Sequence, residues 1–355
     1  MSVLVFVHEL GHFMMARWVG VKVEEFGFGL PPRIWGKKVQ GTIYSINWLP
    51  IGGFVKLAGE DESEGEKVKG KGESVKEYFW ARSKKERAAI LLAGVAMNFL
   101  LAVIVTTYLL TAQGVYEQVK YIYVEEVTAH SPAAAAGIVQ NDIIKSVTYL
   151  EKGVSQTKEV STPKGLIDIT QAHKGEQVTL TIDRKGRVFG VNLVPRKEYP
   201  KGEGPMGIAI SNLMRKKYPI TQAPFEAVKV NLVRGWEMLA SIGGVLGKLL
   251  QLKSPGADVA GPIGIAQVTG QAVKFGWAAV LEFMSILSLN LAVLNILPIP
   301  ALDGGRLLFV VIEKILGRKV RPAFEQSTHQ IGMIILFILI ILISINDVLR
   351  LAHGG

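Results

Sequence analysis

The sequence predicts a polytopic α-helical membrane protein of about four transmembrane helices, with a membrane-associated β-region and an inserted α+β domain. Three observations carry this reading. Apolar runs at 88–111, 278–297 and 331–345 are near the length that crosses a hydrocarbon layer of roughly 30 Å. A stretch rich in aromatics and glycine, 21–59, alternates in strand fashion. A long polar insertion between the second and third runs carries a hairpin pattern. Mean hydropathy is +0.31, high for a chain with such an insertion.

Residues 1–20 form the first span, and the run His8-Glu9-Leu10-Gly11-His12 sits inside it. Only six residues separate Met1 from His8, whereas a span needs about twenty. Either the segment continues through Arg17-Trp18-Val19, or part of the first span is expected upstream of this chain. The opening segment lacks the basic n-region of a removable signal peptide. Residues 21–59 form a β-loop: Phe26-Gly27-Phe28-Gly29 and Ile51-Gly52-Gly53-Phe54-Val55 flank the alternating Thr42-Ile43-Tyr44-Ser45-Ile46. Residues 60–87 are a charged cytoplasmic loop, its first part, 60–76, glycine-rich and solvated.

The second span is 88–112, interrupted chiefly by Asn98. Lys84, Lys85 and Arg87 before it, and Arg318, Lys319 and Arg321 before the last span, place those ends in the cytoplasm by the positive-inside rule. With four spans both termini then lie outside. Residues 115–212 form an α+β domain in which Val178 to Ile182, a turn at 183–187 and Val188 to Val194 read as a β-hairpin. Residues 224–275 hold an amphipathic helix, with Val228, Leu232, Trp236, Leu239 and Ile242 on one face, lying in the membrane interface, and a linker. The third span is 277–308 and the fourth 330–349.

Composition narrows the chemistry. The chain has no cysteine, so disulfides and thiolate metal sites are excluded. Its net charge of +10 fits contact with anionic headgroups of the lipid bilayer. No nucleic-acid signature accompanies that charge, and nucleic acid is not among the expected partners.

Residues four apart share a helix face, so His8 and His12 can bind one metal ion, with Glu9 beside them as a proton acceptor. Ionisable groups in an apolar span mark a functional site by default. A zinc ion held this way needs a third protein ligand. Asp303 is the sole acid in the run from Asn295 to Gly305, where Pro298 and Pro300 break the helix and Gly304-Gly305 follow. Irregular backbone at that depth is tolerated where protein or a water-filled cavity covers it.

His8-Glu9-Leu10-Gly11-His12 together with Asn295 to Gly305 resembles the site-2 protease family of intramembrane zinc metalloproteases, in its bacterial, PDZ-containing, envelope-stress form. Pro50 to Lys56 resembles that family's membrane-associated β-loop. Ala93 to Phe99 is similar to its second-span motif, with Val95 in place of the usual proline, and Gly261 to Ile265 resembles a further segment. Residues 131–144 resemble a PDZ domain, with Asn141 where glycine is usual and the carboxylate-binding loop expected at 118–124. A small sandwich without a ligand is the alternative for this domain.

The resemblance implies that His8, His12 and Asp303 ligate Zn2+, that Glu9 is the general base, and that Asn295 touches the substrate backbone or developing oxyanion, with Gly52, Gly53 and Phe54 binding substrate. It implies a plasma-membrane enzyme cutting pre-cleaved single-span transmembrane proteins, such as anti-sigma factors or remnant signal peptides. Its active site lies toward the cytoplasm, and its PDZ-like domain lies outside, with peptide C-termini as ligands. A catalytically silent PDZ-containing adaptor is the alternative, and a zinc transporter a third. His130, His173, His329 and His353 lack partners at ligand spacing and read as surface or loop residues; Asn98 reads as a helix-packing contact.

Overall fold

The computed structural model describes residues 1–60, 75–200, 203–251 and 261–352. Most of the charged loop predicted at 60–76, and part of the linker within 224–275, lie outside the described residues. The chain divides into two units, 1–113 with 218–355, and 114–217.

In the first unit, α1 (Ser2–Trp18) is followed by the long strands β1 (Val23–Val39) and β2 (Thr42–Leu57). The two strands pair irregularly, so that residues 25–28 are flanked on one side by 43–46 and on the other by 53–56. Among the described residues, no strand pairs with the other side of 53–57. That stretch runs beside α1, and the Val55 N–H donates to the Glu9 carboxylate at 3.1 Å.

The helix α2 (Lys84–Ala112) starts at a capping box: Ser83 Oγ accepts from Glu86 N–H, and the Glu86 carboxylate accepts from Ser83 N–H. It crosses α1 at very short range. A Cβ on Gly11 would come within 2.4 Å of the Ala93 carbonyl oxygen, so glycine there permits the approach. Ala16, Val21, Val23, Leu57, Phe79, Ile90, Leu91 and Val310 form the core where α1, the strands and α2 meet.

The later helices are α5 (Ala223–Leu250), α6 (Pro262–Lys274), α7 (Trp277–Ile296), α8 (Asp303–Leu316) and α9 (Pro322–Ala352). Among the described residues, three helices are long and apolar enough to cross a membrane, over Lys84–Ala112, Trp277–Ile296 and Ala323–Leu349. The segment 277–308, read from sequence as one span, is two helices joined by 297–302, because Pro298 and Pro300 cannot continue α7. The helix read as lying in the interface, α5, also docks on α2 and α7. Buried Asn231 donates to Thr106 Oγ1 at 3.0 Å, Thr106 and Ser285 share a 2.9 Å hydrogen bond, and Ser285 donates to the Ala102 carbonyl. Asp347 near the end of α9 accepts from the N–H groups of Gly261 and Gly264, capping the start of α6.

Arg87, counted from sequence among the cytoplasmic flanking charges, is buried and paired with buried Glu313 of α8. Glu313 also accepts from Val320 N–H at 3.2 Å, and its carbonyl accepts from Lys84 Nζ at 2.7 Å. This pair ties the start of α2 to the end of α8.

The second unit is a six-stranded sheet of β3 (Val115–Val127), β4 (Ile143–Glu151), β5 (Val154–Glu159), β6 (Val178–Arg184), β7 (Arg187–Leu193) and β8 (Ile208–Lys216). Its main order is β7-β6-β4-β3-β8, with β5 on β4. Two helices accompany it, α3 (Pro132–Ala135) and α4 (Pro163–Ala172). Ile122, Val124, Ile144, Val147, Leu166, Leu180 and Ile182 fill the core. The hairpin expected at 178–194 is β6–β7, turning on Lys185 and Gly186, both with positive φ as a type I′ turn requires. Asn141 has φ +69°, a conformation that asparagine tolerates, which accounts for its place where glycine is usual. Buried Asp142 beside it accepts from Val139 N–H and from two nitrogens of Arg184. Residues 118–124, where a carboxylate-binding loop was expected, belong to β3, whose register against β8 shifts between Gln118 and Tyr123.

Removing one partner of a buried ion pair leaves an uncompensated charge and costs about 3–5 kcal/mol. Arg87→Met is therefore expected to lower the unfolding midpoint in detergent by several degrees, and Arg87→Met with Glu313→Leu to recover most of the loss. An unchanged midpoint in the single variant would show that the pair does not hold α2 to α8.

Candidate metal centre

The helical repeat of α1 sets His8 and His12 on one face, directed at α2 and the start of α8. Both rings are buried. His8 Nε2 and His12 Nε2 are 3.1 Å apart, and Asp303 Oδ2 lies 2.9 Å from the first and 3.2 Å from the second. Among the described residues, these three side chains form the group able to hold a metal ion, their donor atoms all within 4.8 Å of one another.

The remaining ring nitrogens explain why the lone pairs converge. His12 Nδ1 donates to the Ile90 carbonyl at 2.8 Å, so in the neutral ring Nε2 carries no proton. His8 Nδ1 faces the amide of fully buried Asn98, with Nδ2 at 3.4 Å, and Asn98 Oδ1 is left without a partner. We assign the amide the other way round: a half turn points Oδ1 at His8 Nδ1–H, so that the ring donates and the amide accepts. Two bare imidazole nitrogens and a carboxylate oxygen then face one point. Mutual repulsion of their lone pairs disfavours that arrangement unless a cation sits among them.

The third donor arrives by an unusual path. Asp303 is the first residue of α8, where the helix dipole favours a carboxylate. The segment 297–302 folds back over that helix start. A Cβ on Gly304 would lie 2.0 Å from the Leu297 carbonyl oxygen, and one on Gly305 2.4 Å from that of Ile299, so both glycines are sterically required.

Two cavities meet at the cluster. The larger, about 460 Å³, is lined by Glu9, His12, Phe54, Asp303 and Arg306, with a polar side of Glu325, Gln326, His329 and Gln330. Arg306 pairs there with Glu60. The smaller, about 300 Å³, is lined by His8, Glu9, Asn98, Asn295 and Asp303. The residues singled out from sequence are therefore sorted by the fold: His8, Glu9, His12 and Asp303 are together, Asn295 borders the smaller cavity and Phe54 the larger. Gly52 and Gly53 line neither cavity. They lie at the start of the edge stretch of β2, Gly52 with φ +79° and Gly53 packed under the Gly27 carbonyl. His329, read from sequence as a surface residue, is on the cavity wall. Asn98, read as a packing contact, makes its packing contact through its backbone, whose carbonyl accepts from Ser288 at 2.8 Å, while its side chain faces His8. Both were hidden because their partners are far away along the chain.

Helices apolar enough to cross a membrane, packed with a two-histidine, one-carboxylate cluster beside Glu9, fit the class of membrane metallopeptidases. The sequence profile of Peptidase family M50 matches residues 1–339, and the chain belongs to that family, the site-2 proteases. It is 34% identical over 347 residues to a protein of Clostridium acetobutylicum and 34% identical over 361 residues to one of Rickettsia conorii, both carrying the name "Putative zinc metalloprotease". These alignments cover 98% and 99% of this chain and 94% and 96% of the relatives. It is 28% identical over 415 residues to the zinc metalloprotease RasP of Geobacillus kaustophilus, covering 97% of this chain and 95% of that one.

Gly94 of α2 faces the histidine pair so closely that a Cβ there would sit 2.4 Å from His12 Nε2 and 2.7 Å from His8 Cε1. Gly94→Ala, which suits a helix on propensity, is expected to weaken binding of zinc or cobalt at least tenfold while the protein still folds. Cobalt absorption spectra and chelator competition would read this, and parent-like affinity would contradict the geometry.

Proposed function

We propose that this protein is a zinc endopeptidase that hydrolyses peptide bonds within the transmembrane segments of single-span proteins already cut outside the membrane. The observation that carries the reading is the convergence of His8, His12 and Asp303 donor atoms beside Glu9. Two imidazoles and one carboxylate suit Zn2+, leave a coordination position open, and in a chain without cysteine are the donor types at hand. When bound, zinc polarises the scissile carbonyl and brings the acidity of water into the neutral range.

The chain's own groups do the rest. One oxygen of Glu9 is anchored by the Val55 N–H, which leaves the other to accept the proton of the attacking water and return it to the leaving nitrogen. A helical substrate hides its carbonyls and must be extended to be cut. The outer side of 53–57, next to Glu9, pairs with no other strand among the described residues, and an unwound segment can add to it by exchanging the carboxylate contacts of the Val55 and Leu57 N–H groups for backbone hydrogen bonds. Gly52 and Gly53 keep that edge slim, and Phe54 contributes a wall to the larger cavity. Asn295, in the smaller cavity with His8 and Glu9, is placed to donate to a substrate carbonyl or oxyanion.

In this reading α1 joins α2, α7 and α9 as a fourth membrane helix, in the plasma membrane, with the metal toward the cytoplasm. The second unit, a sheet with two short helices, is a PDZ-like extracytoplasmic domain that docks peptide C-termini. Anti-sigma factors and remnant signal peptides are the substrate types that fit a site reached only by a short, pre-trimmed membrane segment.

Glu9→Gln keeps the size of the side chain and its bond to Val55 but removes the base. The variant is expected to retain zinc at parent level and to cut a model single-span peptide about 10²–10⁴-fold more slowly. Cleavage at the parent rate would remove the mechanism.

A further inference from the structure

The 297–302 segment that delivers Asp303 closes one turn on itself, the Leu302 N–H donating to the Ile299 carbonyl at 3.2 Å across Pro300 and Ala301, and it also leans on α9. Ala301 has φ +78°, in the left-handed region that a residue with a Cβ avoids. Such a residue persists only where its surroundings over-determine it. Here the surroundings are that local turn and two successive turns of α9. The Ala301 N–H donates to His329 Nδ1 at 3.0 Å, across 28 residues of chain. Three residues on, Gly332 lies under Pro300 so tightly that a Cβ would come within 2.3 Å of Pro300 Cβ and 2.9 Å of its carbonyl. The Phe309 ring of α8, centred 5.7 Å away, backs the imidazole.

The geometry points to His329 as a positioning residue: through the Ala301 N–H it holds the 297–302 segment in the strained form that brings Asp303 to the two histidines. This rests on the proposed role of Asp303 as a ligand. Because Nδ1 accepts, the neutral ring carries its proton on Nε2. That nitrogen is buried on the wall of the cavity shared with Glu9 and Asp303, with no partner among the described residues. A histidine that served only to fill space would need neither nitrogen, and leucine would replace it.

The test uses the full chain purified in detergent, comparing the parent with His329→Leu, His329→Asn and Gly332→Ala. Zinc affinity is read by chelator competition, cleavage of a single-span peptide by kcat and KM, and folding by the unfolding midpoint. Asparagine can place its Oδ1 near the Nδ1 position and accept the same bond. The leucine variant is expected to bind zinc about 10–100-fold more weakly, the range for partners that orient a metal ligand, and to lose kcat with little change in KM. The asparagine variant should regain both, and Gly332→Ala, which displaces the segment from the neighbouring turn, should behave like leucine. Parent-like zinc affinity and kcat in His329→Leu overturn the assignment. So does an asparagine variant as impaired as leucine with an equally lowered midpoint, since that marks a structural role alone. A parent that binds no zinc overturns the ligand reading itself, and this inference with it.

Discussion

Three lone-pair donors directed at one point, deep in an apolar helix pair, are the constraint around which the first unit is organised. His8 Nε2, His12 Nε2 and Asp303 Oδ2 lie within about a hydrogen-bond length of each other, and neutral imidazoles so placed repel. The surrounding structure holds them there. The Ile90 carbonyl and Asn98 amide, both on α2, fix the rings, and the glycines at 11 and 94 allow α2 to come close enough to do so. A divalent cation among the three donors would satisfy all of their lone pairs at once, so metal binding and the fold of this unit are coupled.

Glu9 links that centre to the β-region. Its carboxylate is held by a backbone N–H of the edge stretch of β2, so the proposed base and the edge proposed to hold an extended substrate share one hydrogen bond. On the proposed function, seating a substrate strand on 53–57 and aligning its carbonyl with the metal would be one event rather than two. The proposed third ligand, Asp303, follows a segment whose positive-φ backbone is supported by α9, one of the helices apolar enough to cross a membrane.

Much of this is legible in the amino-acid sequence. A spacing of four puts His8 and His12 on one face of a helix with apolar flanks, as α1 shows. The prolines and paired glycines around Asp303 announce irregular backbone, and the glycine-rich β-region and the 178–194 hairpin follow from alternation and turn chemistry. Local pattern fails where a side chain answers to something distant. Asn98 reads as packing because its ring partner is 90 residues away. His329 reads as a surface histidine because it bonds a backbone N–H, which leaves no mark in sequence. Arg87 looks like one more cytoplasmic flanking charge until Glu313, itself indistinguishable from a solvated acid, is brought to it. The amphipathic pattern of α5 shows its apolar face and not the buried Asn231 that docks it.

The central claim is that one zinc ion is held by His8, His12 and Asp303. X-ray absorption at the zinc edge on the purified full chain tests it most directly, beside a metal count and the same spectra for His12→Ala and Asp303→Ala. The account predicts one zinc per chain with two imidazole nitrogens and one carboxylate oxygen from the protein, plus light-atom solvent, and one imidazole fewer in the histidine variant. Full zinc occupancy with an unchanged ligand shell in either variant would contradict it.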